Sequence, residues 1–69
     1  GRSQRVKGIF ATTDAPGAAD AARRLRIGYL YVDDTDAGAY PEGTRKFDSR
    51  PDLFERVFAS GAVRLYRVR

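Results

Sequence analysis

The longest unbroken stretch of apolar residues and glycine in this chain is Ile27-Gly28-Tyr29-Leu30-Tyr31-Val32. β-branched and aromatic side chains suit a pleated strand, and a run without polar alternation is the pattern of a strand covered on both faces. We therefore expect a central strand over 27–32, with the other elements arranged around it. A chain of 69 residues has room for one core, which hides roughly 60% of the extended chain's surface. The sequence is 42% hydrophobic and 32% charged, inside the globular range.

Val6 to Thr13 alternates as a half-buried strand, with Val6 and Phe10 on one face and Ile9 and Ala11 on the other. Asp14 then stands where a carboxylate can accept from the first N–H groups of a helix, and Pro16 lies in its first turn. Ala15, Ala18, Ala22 and Leu25 recur at helical spacing and give a narrow apolar stripe. Asp20 and Arg24 form an i, i+4 pair, and Arg23, Arg24 and Arg26 sit late, where the helix dipole favours cations. Strand, helix and strand in close succession imply a right-handed crossover between parallel strands.

From Asp33 to Pro51 the pattern breaks into Asp, Thr, Gly and Pro, with Tyr40 and Phe47 as anchors of a long loop. Pro51 can open a helical turn through Leu53 and Phe54. Glu55 to Ala59 and Ala62 to Val68 then flank Ser60-Gly61, a hairpin connection. The expected architecture is a two-layer α/β domain of order β-α-β-loop-β-β, one main helix on a four-stranded mixed sheet. Residues 1–5 form a tail or a cloning remnant, and 6–68 a single small domain. Its core should hold Phe10, Ala18, Ala22, Leu25, Tyr29, Leu30, Val32, Val57, Leu65 and Val68.

The chain has no cysteine and no histidine, so disulfides, thiolate nucleophiles, Cys-rich zinc sites and the usual general base are excluded. Ser3, Ser49 and Ser60 lack a histidine partner, and Lys7 and Lys46 carry no sequence sign of desolvation. Thr12-Thr13-Asp14 lies where phosphate-binding turns lie, but it lacks the glycine series and the lysine, and its aspartate repels an anion. We assign it to capping. The dense acidic group is Asp33-Asp34-Thr35-Asp36. Its spacing fails as a calcium loop, which needs alternating oxygens, a glycine and a distal glutamate. Asp34-Thr35-Asp36 spells the metal-holding motif of nucleotide-sugar transferases, and Tyr31 to Asp34 spells the reverse-transcriptase signature, yet the chain is too short to house either domain. Asp33, Asp34 and Asp36 read as a solvated acidic loop, with a weak divalent-cation site as the alternative. No catalytic residue and no cofactor are assigned.

The net charge is +4, and it is unevenly spread. Arg2, Arg5, Lys7, Arg64, Arg67 and Arg69 put +6 at the two ends, whereas residues 8–63 sum to −2. Basic ends read as solvated tails, or as contacts with a membrane surface or nucleic acid. Tyr29, Tyr31 and Tyr66 alternate beside Arg64 and Arg67, as a base-stacking sheet requires, but the glycine-aromatic signature of the RNA-recognition sheet is missing.

The order of short motifs has a further meaning. Ala11-Thr12-Thr13-Asp14, an Ala/Arg helix, Tyr29-Leu30-Tyr31-Val32, Tyr40-Pro41-Glu42-Gly43, Lys46-Phe47, Val57-Phe58 and Leu65-Tyr66-Arg67-Val68 follow one another over residues 6–68. This series resembles the C-terminal segment of large polytopic membrane proteins of the YYY-type hydrophobic family, which is similar to the membrane-embedded, lipid-sugar-using (GT-C type) glycosyltransferases. Asp33-Asp34-Thr35-Asp36 departs from it, standing where the family has a Gly and a Glu-Arg pair. The resemblance implies a soluble cap after the last membrane helix, on the extracytoplasmic side, with any transferase chemistry elsewhere in the parent protein. The absence of methionine fits a piece of a longer protein.

Two functional expectations result. The first is a non-catalytic accessory domain of a membrane protein at the cell membrane, whose partners are the rest of its parent and a membrane surface. The second is a small basic module that binds nucleic acid. Tyr40, Arg45, Lys46, Arg64 and Arg67 are the residues from which partner contacts are expected.

Overall fold

A computed structural model describes residues 4–69. The elements run α1 (Gln4–Ala11), α2 (Ala15–Arg24), β1 (Tyr29–Val32), α3 (Asp34–Ala39), α4 (Pro41–Ser49), β2 (Phe54–Ser60) and β3 (Val63–Val68). Four helices cover one face of a three-stranded antiparallel sheet of order β1-β3-β2. This corrects the expected four-stranded mixed sheet with one helix. The expected first strand is α1, because Val6, Ile9 and Phe10 also satisfy i, i+3, i+4 spacing. Ile9 and Phe10 are both buried, and neighbouring residues of a strand covered on one side cannot both face the core. Without that strand there is no parallel crossover, and β1 becomes an edge rather than the centre. Of the expected tail, residues 1–3 lie outside the described residues, and helix α1 begins at Gln4.

The second helix follows its sequence signals. The Gly17 N–H donates to the Asp14 carboxylate at 3.1 Å, and Ala15, Ala18, Ala19 and Ala22 are buried against the rest of the domain. Its end is a Schellman turn: the Ile27 N–H donates to the Ala22 carbonyl at 2.8 Å and the Arg26 N–H to the Arg23 carbonyl at 3.0 Å. Arg26 occupies the left-handed position with φ 58°, which favours glycine.

The expected loop over 33–51 is instead mostly helical. Asp33 and Asp36 form a reciprocal capping box, with the Asp36 N–H on Asp33 at 3.0 Å and the Asp33 N–H on Asp36 at 3.2 Å. Helix α4 starts at Pro41, where the missing N–H costs little. It packs on α1 at Gly43, where an added Cβ would run into the carbonyl oxygens of Phe10 and Ala11. Glycine is required there by proximity, not by backbone dihedral.

The β2–β3 hairpin is as expected, except that Gly61, with φ 59°, and Ala62 make the turn. Val57 is the extra residue of a bulge between Arg56 and Phe58. Phe47 is the centre of the core. Its ring meets Phe10 at 5.6 Å, Phe54 at 4.9 Å and Tyr66 at 5.4 Å. Phe10, Ala18, Ala22, Leu30 and Val32 are core as expected, Leu25 and Val68 pack beside it, and Leu65 is half-buried. Tyr29 and Val57, expected inside, are exposed, because only one sheet face is covered.

Two substitutions of opposite sign check this account. Gly43→Ala should lower stability by about 3 kcal/mol, because two carbonyls must move to admit the methyl group. Arg26→Gly should raise it by about 1 kcal/mol by relieving the left-handed residue. Denaturant midpoints of the two variants against the parent chain provide the comparison.

Candidate functional site

Strand β1 alternates exposed and buried, so Leu30 and Val32 face the helices while Tyr29 and Tyr31 face away. Pairing across the sheet sets these tyrosines in two rows. Tyr31 lies beside Leu65, which lies beside Phe58; Tyr29 lies beside Arg67, which lies beside Glu55. No helix among the described residues covers this face: Tyr29 is 59% exposed, Tyr31 51%, Phe58 54% and the bulged Val57 46%. Half-exposed aromatic rings present roughly 100 Å² each, so the patch reaches about 300 Å², the size of the largest patch on a typical monomer, which is often functional. Its polar row holds one carboxylate against two cations. The Arg67 guanidinium sits 2.7 Å and that of Arg69 3.7 Å from the Glu55 carboxylate.

The other expected contact residues are scattered. Tyr40 is half-buried and packs against the core. Arg45 is exposed on α4. Arg64 turns toward the helical side, where it donates to Asp48 at 2.6 Å. Asp48 also accepts from the Tyr66 hydroxyl at 2.8 Å and faces Arg56 at 3.7 Å, tying the end of α4 to the hairpin. Of the expected set, Arg67 alone lies on the uncovered face.

Lys46 is a correction, because it is only 4% exposed and is not a surface contact. Its ammonium donates to the Phe10 carbonyl at 3.2 Å and the Gly43 carbonyl at 2.7 Å, and lies 4.3 Å from the Phe47 ring centre. Phe10 is in the last turn of α1, so the cation meets the negative end of that helix's dipole. Among the described residues no carboxylate offsets its burial, and desolvation lowers its pKa from 10.5 to about 8. Burial, with the Asp48 hydrogen bond second, pushes the Tyr66 phenol up from 10.0 to about 12.

The acidic group is not a loop. Asp33 and Asp36 hold the two ends of the capping box, and Asp34 is exposed in the first turn of α3. Among the described residues no three His, Cys, Asp or Glu side chains are grouped to hold a metal ion. Sequence reasoning missed Phe58 and Val57 as surface residues and placed Tyr29 in the core. The signal was the alternation of Tyr29-Leu30-Tyr31-Val32 itself, the pattern of a strand with one wet face. No protein-family model matches the chain. No curated protein and no solved structure is significantly similar to it.

Lys46 and Tyr66 together give stability a maximum near pH 10. Between about pH 8 and 10.5 the unfolded chain keeps the Lys46 proton that the folded protein has lost, so stability rises with pH, by roughly 3 kcal/mol at most. Above pH 10 the unfolded chain loses the Tyr66 proton that the folded protein retains up to about 12, so stability falls. Urea midpoints from pH 7 to 11 should trace the rise and fall. Lys46→Met should flatten the rise and leave the fall.

Proposed function

We propose that this chain is a non-catalytic accessory domain of a larger integral membrane protein, on its extracytoplasmic side, and that it lays its uncovered sheet face on another part of that parent. The observation that carries the reading is the uncovered row of Tyr31, Leu65 and Phe58 beside the ion-paired row of Tyr29, Arg67 and Glu55. Tyrosine and arginine around a small apolar centre are the composition of a protein contact. The apolar rings supply well under the ~800 Å² per partner that a stable free complex requires. A tethered partner needs less, because the link replaces affinity with local concentration. The motif order over residues 6–68 supplies the membrane part of the reading.

Nucleic acid is the second reading, favoured by Tyr29 and Tyr31 as a stacking platform. It is weaker because Arg67, the cation that lies across the sheet from Tyr29, is held by Glu55 at 2.7 Å. Phosphate tracking needs cations left available beside the stacked bases.

A photo-crosslinking residue at position 31 of the full-length parent should join the domain to another part of the same polypeptide, whereas one at Arg24 on α2 should not. Absence of a product from position 31 would remove the docking role. A parent coding sequence without membrane-spanning segments would remove the membrane assignment. Oligonucleotide binding that weakens with salt and with Tyr31→Ser would transfer the face to the second reading.

A further inference from the structure

On the helical side, away from the sheet face, a recess of about 300 Å³ lies between α3, α4 and the start of β3, lined by Ala37, Pro41, Thr44, Arg45 and Arg64. We propose that it binds the phosphate group of an anionic ligand. Its lining residues include two arginines and no Asp or Glu. Asp48, the acid that pairs with Arg64, is shared with Arg56 and the Tyr66 hydroxyl, so one negative charge serves two arginines and the cluster stays positive. Arg45 makes no ion pair or hydrogen bond with the described residues. Glu42, in the same first turns of α4, does not line the recess.

The two arginines differ usefully. Arg64 is 30% exposed in its side chain and fixed by its 2.6 Å contact to Asp48, so its remaining donors are oriented before a ligand arrives. Arg45 is exposed on α4 and engaged by none of the described residues, so its guanidinium can turn to a ligand from the solvent side. A guanidinium fork matches the oxygens of phosphate, and two forks on one concave surface favour a doubly contacted oxyanion over chloride. The Thr44 hydroxyl is already used, donating to the Tyr40 carbonyl at 2.8 Å, so the polar contacts come from the arginines. The same chemistry is offered by a phospholipid headgroup and by free phosphate or a soluble phosphate ester.

Sodium phosphate titrated into the isotopically labelled chain at constant ionic strength should move the amide signals of Ala37, Thr44 and Arg45 and saturate in the millimolar range. Arg45→Gln should weaken this about tenfold, the loss of one hydrogen-bonded charge. Arg24→Gln, which removes a cation paired with Asp20 on α2, should leave it unchanged. Binding to phosphatidylglycerol vesicles but not phosphatidylcholine vesicles, lost in Arg45→Gln, assigns the site to a headgroup. Phosphate binding without vesicle binding assigns it to a soluble phosphate. No saturable shift, or equal weakening by Arg24→Gln, overturns the site, and neither result depends on what the sheet face docks against.

Discussion

The last turn of α1 rests on α4, and the remaining structure depends on that contact. Gly43 has no side chain, so the carbonyls of Phe10 and Ala11 come down onto the α4 backbone. Lys46, one turn further along α4, brings its ammonium to the Phe10 carbonyl. A steric vacancy and a buried cation thus act on the same helix end. One admits it, and the other gives its carbonyl dipoles a positive counterpart. The arrangement carries an electrostatic cost, visible in the lowered lysine pKa, but the location of that cost fixes which side of α4 faces α1.

With that angle set, Phe47 points into the space where α1, α4 and the sheet converge, and its ring contacts Phe10, Phe54 and Tyr66. The aromatic cluster serves as the hub of a core completed by Ile9, Leu30, Val32 and the small alanines of α2. Tyr66 joins the two layers a second time, its ring in the core and its hydroxyl on Asp48 at the end of α4. A chain this short has enough apolar residues to cover one sheet face with helices, and the other face is left with tyrosines and an ion pair.

Helix α2 was legible because three local signals agree: the Asp14 cap, Pro16 in the first turn and the alanine stripe. The hairpin was legible because its turn chemistry and its flanking residues point the same way. Helix α1 was not, since Val6, Ile9 and Phe10 satisfy both a strand and a helix period over so short a span, and only tertiary burial decides between them. Helices α3 and α4 were hidden by their polarity, although Asp33 and Asp36 at capping-box spacing and Pro41 at a first helical position were present as signals. The uncovered face was misjudged because a continuous apolar run was read as two covered faces, when both tyrosines carry a polar end that tolerates water. The burial of Lys46 has no local signature, since it arises from the approach of a helix distant in sequence.

Strand β3 lies between β1 and β2, although it is the last of the three to be synthesised. Neither earlier strand can pair with the other in this order, so no part of the sheet exists on a nascent chain until Val63 to Val68 has left the ribosome. Until then the helices have no sheet to cover, and two strand edges wait exposed. The domain therefore assembles in a single late event rather than by stepwise growth from its N-terminal side. A chain interrupted before β3 is a candidate for aggregation and proteolysis rather than a smaller version of the same fold.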